Sequence, residues 1–365
     1  MKCTRVSCGL LLFLSILFMY VLVTPLARAG DSTSSMLNSK SSASFFISGH
    51  SLTDNPYADY LVHITKSLGV SSEYNQQIVI GSPLRVRTRG NDPDSKDFRG
   101  YQLGKNREGS GMEILKELKN HKTIQSQQYD YLIITERHDL VSVVTWEGTD
   151  RYLRHYHDQF MMSSNGKVYF FVPWLGIKNR KDIAPWVIYE ESALKAWECI
   201  VDKVNHDLVL GKSSPVSIIP ANVALVDLVK RLLSGSVVAE ETGGRSNFDH
   251  LSLVFSDDVH LTKLGVYYMA LVTYASIFNS SPDGAWFPKE ISKKMALYLQ
   301  KVAWEFVSNT VPNRLSADLE RCSALFAESF CKIYWDYAGE SQHTPSCRSH
   351  FSRQNKSSLF YAGDK

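Results

Sequence analysis

Short apolar runs alternate with longer amphipathic segments from Phe45 onward. Runs that are apolar almost throughout are typical of strands buried on both faces, and their alternation with helical periodicity predicts a parallel sheet covered by helices. The predicted strands read SFFIS (44–48), QQIVIG (76–81), YDYLIIT (129–135), KVYFFVPW (167–174) and PVSIIPA (215–221). The predicted helices cover 56–69, 111–121, 148–164, 190–209, 221–235 and 264–278. We therefore predict one α/β domain of three α/β/α layers over residues 45–347.

The first residues have the pattern of an export signal. Lys2 and Arg5 precede an apolar run that ends near Leu26, and Ala27-Arg28-Ala29 follows. This order predicts a secretory signal peptide over 1–29, cleaved after Ala29, and the alternative is an uncleaved membrane anchor. Residues 30–44 are rich in Ser and are predicted to be a flexible spacer. The rest of the sequence has no second run that could span a bilayer, so we expect an exported protein, periplasmic or secreted.

The charge balance argues against nucleic acid as a partner. The whole sequence has 40 Lys+Arg and 37 Asp+Glu, giving +3. The predicted signal peptide contains three of these cations and no acid, so the remainder is neutral, with 37 of each. Binding to nucleic acid needs a net basic face, which this balance does not provide.

Residues 85–111 interrupt the alternating pattern. This stretch is rich in Gly and charge, without periodicity, and contains seven Lys/Arg against four Asp/Glu. It is predicted to be an inserted loop, either a functional lid or a tolerated surface excursion. If it borders a cleft, Arg85, Arg87 and Arg89 would favour an anionic polymer. The tail over 348–365 is predicted to be flexible.

Four cysteines follow the predicted signal peptide: Cys199, Cys322, Cys331 and Cys347. An even number suits an oxidising compartment, and none of the spacings is that of a zinc site. Cys322 and Cys331 lie nine residues apart in one predicted helix, roughly 13 Å along its axis, which is too far for a disulfide. One of them could pair with Cys347, and four free thiols are the alternative.

The first predicted strand ends in FFISGHSLTDNP, where a Gly-led turn presents Ser51. The carboxyl edge of a parallel sheet and the helix predicted from Pro56 would place Ser51 near free backbone N–H groups, which suit a developing anion. Towards the other end, FSDDVHLTKLG places Asp257 three residues before His260, ahead of a strongly apolar helix. At this spacing a carboxylate can orient an imidazole towards a hydroxyl, as in acyl transfer. Asp258 is the rival orienter.

The combination of G-x-S-L after the first strand with D-x-x-H before the last long helix resembles the SGNH/GDSL hydrolase superfamily. The resemblance covers about 45–287 and implies a flavodoxin-like α/β/α fold. It also implies that Ser51 is the nucleophile, His260 the general base and Asp257 its orienter. No metal or organic cofactor is implied.

Other family positions are matched less closely. Gly81 follows the second predicted strand, where the family uses a Gly N–H in the oxyanion hole. The family's G-x-N-D motif after the third strand is absent, because the sequence there is TERHD, and His138 stands where the Asn is expected. His50 replaces the usual Asp of the first block. The resemblance therefore implies an oxyanion hole from Gly81, with His138 as a substitute donor.

We accordingly predict an exported serine esterase with an ester substrate, an O-acyl group on a carbohydrate. Two alternatives remain from the sequence: an O-acyltransferase on the same scaffold, and a non-catalytic glycan-binding protein. An acyl acceptor competing with water would distinguish the first.

Overall fold

The computed structural model describes residues 42–92, 95–234, 247–310 and 319–353. The predicted signal peptide and most of the predicted spacer lie outside these residues. Five strands form one parallel sheet in the order β2-β1-β3-β4-β5. The strands are β1 Ser42–Gly49, β2 Ser71–Ile78, β3 Tyr131–Thr135, β4 Lys167–Phe171 and β5 Val216–Ile219. This is the flavodoxin-like strand order.

The helices between and after the strands are α1 Tyr57–Ser67, α2 Leu84–Thr88, α3 Ile114–Asn120, α4 Leu140–Ser142, α5 Thr149–Met161, α6 Ala184–Leu210, α7 Ala221–Leu233, α8 Asn247–Val254, α9 Lys263–Phe278, α10 Lys293–Asn309, α11 Leu319–Ala324, α12 Cys331–Ala338 and α13 Thr344–Arg353. Two π-helical turns cover Val143–Glu147 and Leu325–Phe330, and 3₁₀ turns cover Ser51–Thr53, Arg99–Gln102 and Ser341–His343. Among the described residues, no helix has the length and apolarity needed to cross a membrane.

Alternate residues of the strands face different helices, which gives the three layers. Phe45 of β1 contacts Phe278 of α9 at a ring-centroid distance of 6.4 Å. On the other face of the sheet, Phe170 of β4 packs on Trp197 of α6, with the two ring centroids 5.4 Å apart. The register places Phe45 and Phe170 on opposite faces of the sheet, because side chains alternate along a strand. The predicted α/β/α class is confirmed.

Strand β2 differs from its prediction, since it spans Ser71–Ile78 rather than 76–81. Its polar residues are buried because the segment after it folds back over the sheet edge and supplies hydrogen-bond partners. Gln77 Nε2 donates to the carbonyl oxygens of Arg87, Gly100 and Leu103 at 3.0–3.2 Å. Sequence periodicity cannot detect a strand whose buried side chains are polar.

The predicted loop over 85–111 contains more structure than expected. Helix α2 and the 3₁₀ turn at 99–102 lie within it, and Lys105 forms an antiparallel bridge with Ile78 at the sheet edge. The three arginines are engaged within the protein, contrary to the prediction of a basic ligand-facing loop. Arg85 pairs with Glu147, Arg87 is fully buried, and Arg89 donates to the Tyr152 hydroxyl.

The domain boundaries also shift slightly. Strand β1 begins at Ser42, so the predicted spacer overlaps it by three residues, and α13 continues past 347 to Arg353, into the predicted tail. The remainder of the predicted tail, 354–365, lies outside the described residues. The four cysteines among the described residues are paired, as Cys199–Cys322 and Cys331–Cys347. Of the two alternatives that the sequence left open, the structure has the pairing of Cys347 with one of the two helical cysteines, Cys331, and the free-thiol alternative is wrong.

Candidate active site

The turn after β1 projects Ser51 from the carboxyl edge of the sheet. A 3₁₀ turn covers Ser51–Thr53, closed by a bond from the Thr53 N–H to the His50 carbonyl at 3.0 Å. The absence of a side chain at Gly49 makes room for Thr53, since a Cβ at this position would lie 1.8 Å from Thr53 Oγ1 and 3.1 Å from Thr53 Cβ. The apolar strand therefore ends at a residue without a side chain because the next turn folds directly against it.

His50 fixes this turn to the end of β3. Its Nε2–H donates to the Glu136 carbonyl at 2.8 Å, which leaves Nδ1 to accept from the Leu52 N–H at 3.5 Å. Burial, helped by the nearby positive charge of Arg87, lowers the pKa of His50 to about 3. His50 is thus a neutral residue that anchors the Ser51 turn to the end of β3.

Asp257 and His260 lie on a tight loop, residues 255–261, which we call the Asp–His loop. A bridge between Phe255 and Leu261 closes it, and the Ser256 N–H donates to the His260 carbonyl at 2.9 Å. Asp257 Oδ1 accepts from the backbone N–H groups of Val259 and His260 at 2.8 and 2.7 Å. Because Asp257 and His260 are three residues apart, one carboxylate oxygen of Asp257 can accept from the two backbone N–H groups of the loop while the other oxygen reaches the imidazole.

The three residues form a continuous hydrogen-bonded series. His260 Nδ1 lies 2.7 Å from Asp257 Oδ2, and His260 Nε2 lies 3.1 Å from Ser51 Oγ. An ionised carboxylate only accepts, so Nδ1 carries the proton and Nε2 is free to accept from the Ser51 hydroxyl. Burial opposes the ionisation of Asp257, but hydrogen bonds from the backbone N–H groups of His260 and Val259 and from the His260 side chain together outweigh it and lower the pKa of Asp257 to about 2.

Asp258, the rival orienter, points elsewhere. Its carboxylate lies 3.6 Å from Arg180 Nε and is 76% exposed. The series is also open to solvent, because the side chains of His260 and Asp257 are 43% and 57% exposed. The His260–Asp257 pair is therefore accessible from solvent.

A segment after β4, residues 174–180, which we call the bracing segment, holds the Asp–His loop. Trp174 Nε1 donates to the Val259 carbonyl and the Ile177 N–H to the Asp258 carbonyl, each at 2.8 Å. Arg180 donates to the Asp257 carbonyl. Three consecutive carbonyl groups of the loop are therefore held from one side.

The bracing segment is itself anchored on α6. Glu190, fully buried, accepts from the Leu175 N–H at 2.7 Å and from Asn222 Nδ2 at 3.1 Å. Burial raises the pKa of Glu190 to about 8 despite these hydrogen bonds. No local sequence signal pointed to these supporting residues.

Gly81 lies in a turn beyond β2, on the same sheet edge as Ser51. The Val79 N–H donates to the Gly49 carbonyl at 3.0 Å, and the Ser82 N–H closes the turn on the Val79 carbonyl at 3.2 Å. Gly81 adopts a φ of +67°, which a residue with a side chain rarely takes. Buried Arg87 joins this turn to β3, donating to the carbonyls of Ser82 and Thr135.

His138 lies among the other site histidines. Its ring centroid is 6.4 Å from that of His50, and burial lowers its pKa, with charges on Arg137 and His260 acting in the same direction against Asp139. Its Nδ1 is buried and has no hydrogen-bond partner among the described residues. Because this nitrogen is shielded from solvent, His138 can donate to a bound group only through its other ring nitrogen, Nε2.

Trp146 is the most exposed large hydrophobic residue in the described chain, at 76%. It lies on the π-helical turn after β3, and its neighbour Glu147 pairs with Arg85 at 2.5 Å and approaches Arg137 at 3.8 Å. These pairs connect the Trp146 turn to the segments that carry Gly81 and His138. The described residues contain no group of three metal-ligating side chains.

Comparison with known proteins gives support for the fold alone. No protein-family model matches this sequence, and no curated protein matches it. A solved structure, that of a DUF4886 family protein from Bacteroides uniformis ATCC 8492, is similar over 76% of this chain and 99% of its own, with a TM-score of 0.50 and 14% identity. At this identity the likeness establishes a shared α/β/α architecture.

Proposed function

We propose that this protein is a serine hydrolase that cleaves an ester through an acyl-enzyme. The observation that supports this most strongly is the series Ser51–His260–Asp257, with contacts of 3.1 and 2.7 Å. Residues separated by more than two hundred positions meet in the order nucleophile, base and orienter. A chance surface cluster would not be expected to have this order together with a glycine-led turn beneath the serine.

In the proposed reaction, His260 Nε2 takes the Ser51 proton as Oγ attacks the ester carbonyl. The new oxyanion is held by the backbone N–H groups of Ser51 and Gly81, with His138 as a third donor. His260 then gives its proton to the leaving alcohol, and in the second half it activates water to release the acid. Asp257 keeps the imidazole in the tautomer that this sequence requires.

The proposed substrate is an O-acyl group on a carbohydrate outside the cell. The open site admits an acyl group attached to a polymer. We propose that the exposed Trp146, whose neighbour Glu147 pairs with Arg85 and approaches Arg137, stacks on a sugar ring of that polymer. Export is supported by the two disulfides, which persist in oxidising compartments.

Hydrolysis of a chromogenic acetyl ester tests the proposal, with Ser51→Ala and His260→Ala as variants. Loss of nearly all activity in both is expected, since removal of such a residue can cost up to ~10⁶ in rate. Activity that survives in Ser51→Ala would contradict it. Acyl transfer to an added glycan in preference to water would instead identify a transferase using the same residues.

A further inference from the structure

The C-terminal segment, residues 319–353, reaches the site through the bracing segment. The Tyr337 hydroxyl of α12 donates to the Gly176 carbonyl at 2.5 Å and accepts from the Lys178 N–H at 3.3 Å. Lys178 Nζ donates to the Ala338 carbonyl at 2.5 Å. The end of α12 is thus bonded to the middle of the segment that holds the Asp–His loop.

Gly176 lies directly against that loop. A Cβ at Gly176 would be 3.3 Å from the Asp258 carbonyl oxygen and 3.5 Å from Val259 Cβ. The next residue, Ile177, makes the hydrogen bond to Asp258. A displacement of Gly176 would therefore be transmitted to the backbone between Asp257 and His260.

The position of Tyr337 is fixed by covalent and aromatic contacts. Its ring stacks on Tyr189 of α6, with centroids 5.0 Å apart and an interplanar angle of 18°. Helix α12 begins at Cys331, bonded to Cys347 in α13, and α11 carries Cys322, bonded to Cys199 in α6. Since α6 also anchors the bracing segment through Glu190, both partners of the Tyr337–Gly176 bond rest on the same helix.

We propose that Tyr337 is a positioning residue for Asp257 and His260, and that the disulfide-bonded C-terminal segment sets the geometry of the catalytic loop. Tyr337 acts through Gly176 and Ile177 and does not touch the reacting atoms. The effect on catalysis rests on the proposed function, whereas the effect on loop order does not. Segment 319–353 is then part of the active-site architecture.

The test compares Tyr337→Phe with Tyr334→Phe in the full-length oxidised protein. Both changes remove one hydroxyl from α12 and keep the ring, but the Tyr334 hydroxyl makes no hydrogen bond to the bracing segment within the described chain. Amide hydrogen exchange is followed in peptides covering 174–180 and 255–262, and kcat and KM are measured on a chromogenic acetyl ester. We expect faster exchange in both peptides of Tyr337→Phe only, with kcat about two- to tenfold lower and KM unchanged, the range set by one lost hydrogen bond.

Unchanged exchange over 255–262 in Tyr337→Phe would overturn the proposal, whatever the activity. Faster exchange with an unaltered kcat would overturn the catalytic part. If the parent protein has no esterase activity, the proposed function fails, while the exchange data still decide whether Tyr337 orders the loop. The double variant Cys331→Ser/Cys347→Ser releases the start of α12. It is expected to make amide exchange faster in both peptides, as in Tyr337→Phe.

Discussion

Replacing Asp257 by Asn isolates the role of the carboxylate. The amide oxygen can still accept from the N–H groups of Val259 and His260, so the loop keeps its internal hydrogen bonds. The amide nitrogen, however, would face His260 Nδ1 and favour the tautomer in which Nδ1 accepts and Nε2 carries the proton. His260 could then no longer take the proton of Ser51.

The expected loss follows from how exposed the pair is. Where the aspartate of such a triad is buried, the same substitution lowers kcat about 10⁴-fold. Here Asp257 is 57% exposed, so water screens the interaction and can partly replace it. We therefore expect a loss of ~10²–10⁴, mainly in kcat, because the interaction is needed in the transition state more than in substrate binding.

The assay is steady-state hydrolysis of a chromogenic acetyl ester by the parent, Asp257→Asn and the neighbouring control Asp258→Asn. Asp258 faces Arg180 and its backbone contacts do not depend on its side chain, so the control should resemble the parent. An Asp257→Asn variant within about tenfold of the parent would refute the reasoning that this carboxylate sets the His260 tautomer. A larger loss in the control than in Asp257→Asn would assign the orienter's role to Asp258.

Three further predictions follow from the surroundings of the site. His138→Ala should lower kcat by ~10–10³-fold with little change in KM. His138→Gln should retain more activity, because its amide can still donate a hydrogen bond. An equal kcat in the parent and His138→Ala would show that His138 does not take part in the oxyanion hole. Trp146→Ala should raise KM for acetylated oligosaccharides and leave kcat/KM for a small chromogenic ester unchanged. An equal effect on both substrates would contradict the stacking of Trp146 on a sugar ring. Glu190 has a pKa raised by burial to about 8, so its contribution to stability is present below the unfolded pKa of 4.5 and is lost as the pH rises through about 8. The unfolding midpoint of the parent should therefore fall as the pH rises from about 4.5 to about 8 and level off above that, as measured by denaturant titration. Glu190→Gln should show a smaller fall, since its amide does not ionise and its oxygen can still accept from the Leu175 N–H; parallel curves would contradict this.

The strands and helices that could be predicted from the sequence are those whose buried positions are occupied by apolar residues. Strands β1, β3, β4 and β5 are apolar runs, and their alternation with helices was enough to give the layers. Strand β2 was misplaced because its burial is satisfied by polar side chains such as Gln77, whose partners come from a segment ten or more residues later. Hydrophobic patterning contains no information about such pairs.

Two short motifs predicted that Ser51 would meet His260 and Asp257, because the residues that define each motif lie close together in the sequence. The supporting residues were missed for the opposite reason. Trp174 and Tyr337 donate to backbone carbonyl groups of segments that are distant in the sequence. Neither the donor nor the acceptor of such a bond belongs to a recognisable sequence motif. Arg87 was misjudged as ligand-facing, since an arginine satisfied by buried carbonyls is indistinguishable in sequence from one on the surface.

The most direct test of the central claim is covalent labelling of the mature protein with a fluorophosphonate, followed by intact-mass measurement and peptide mapping. Such a probe reacts with a serine that an adjacent base has activated. We predict one adduct per chain at Ser51, no adduct in Ser51→Ala, and much slower labelling in His260→Ala. An unlabelled parent protein, or an adduct that persists in Ser51→Ala, would contradict the assignment of Ser51 as the nucleophile.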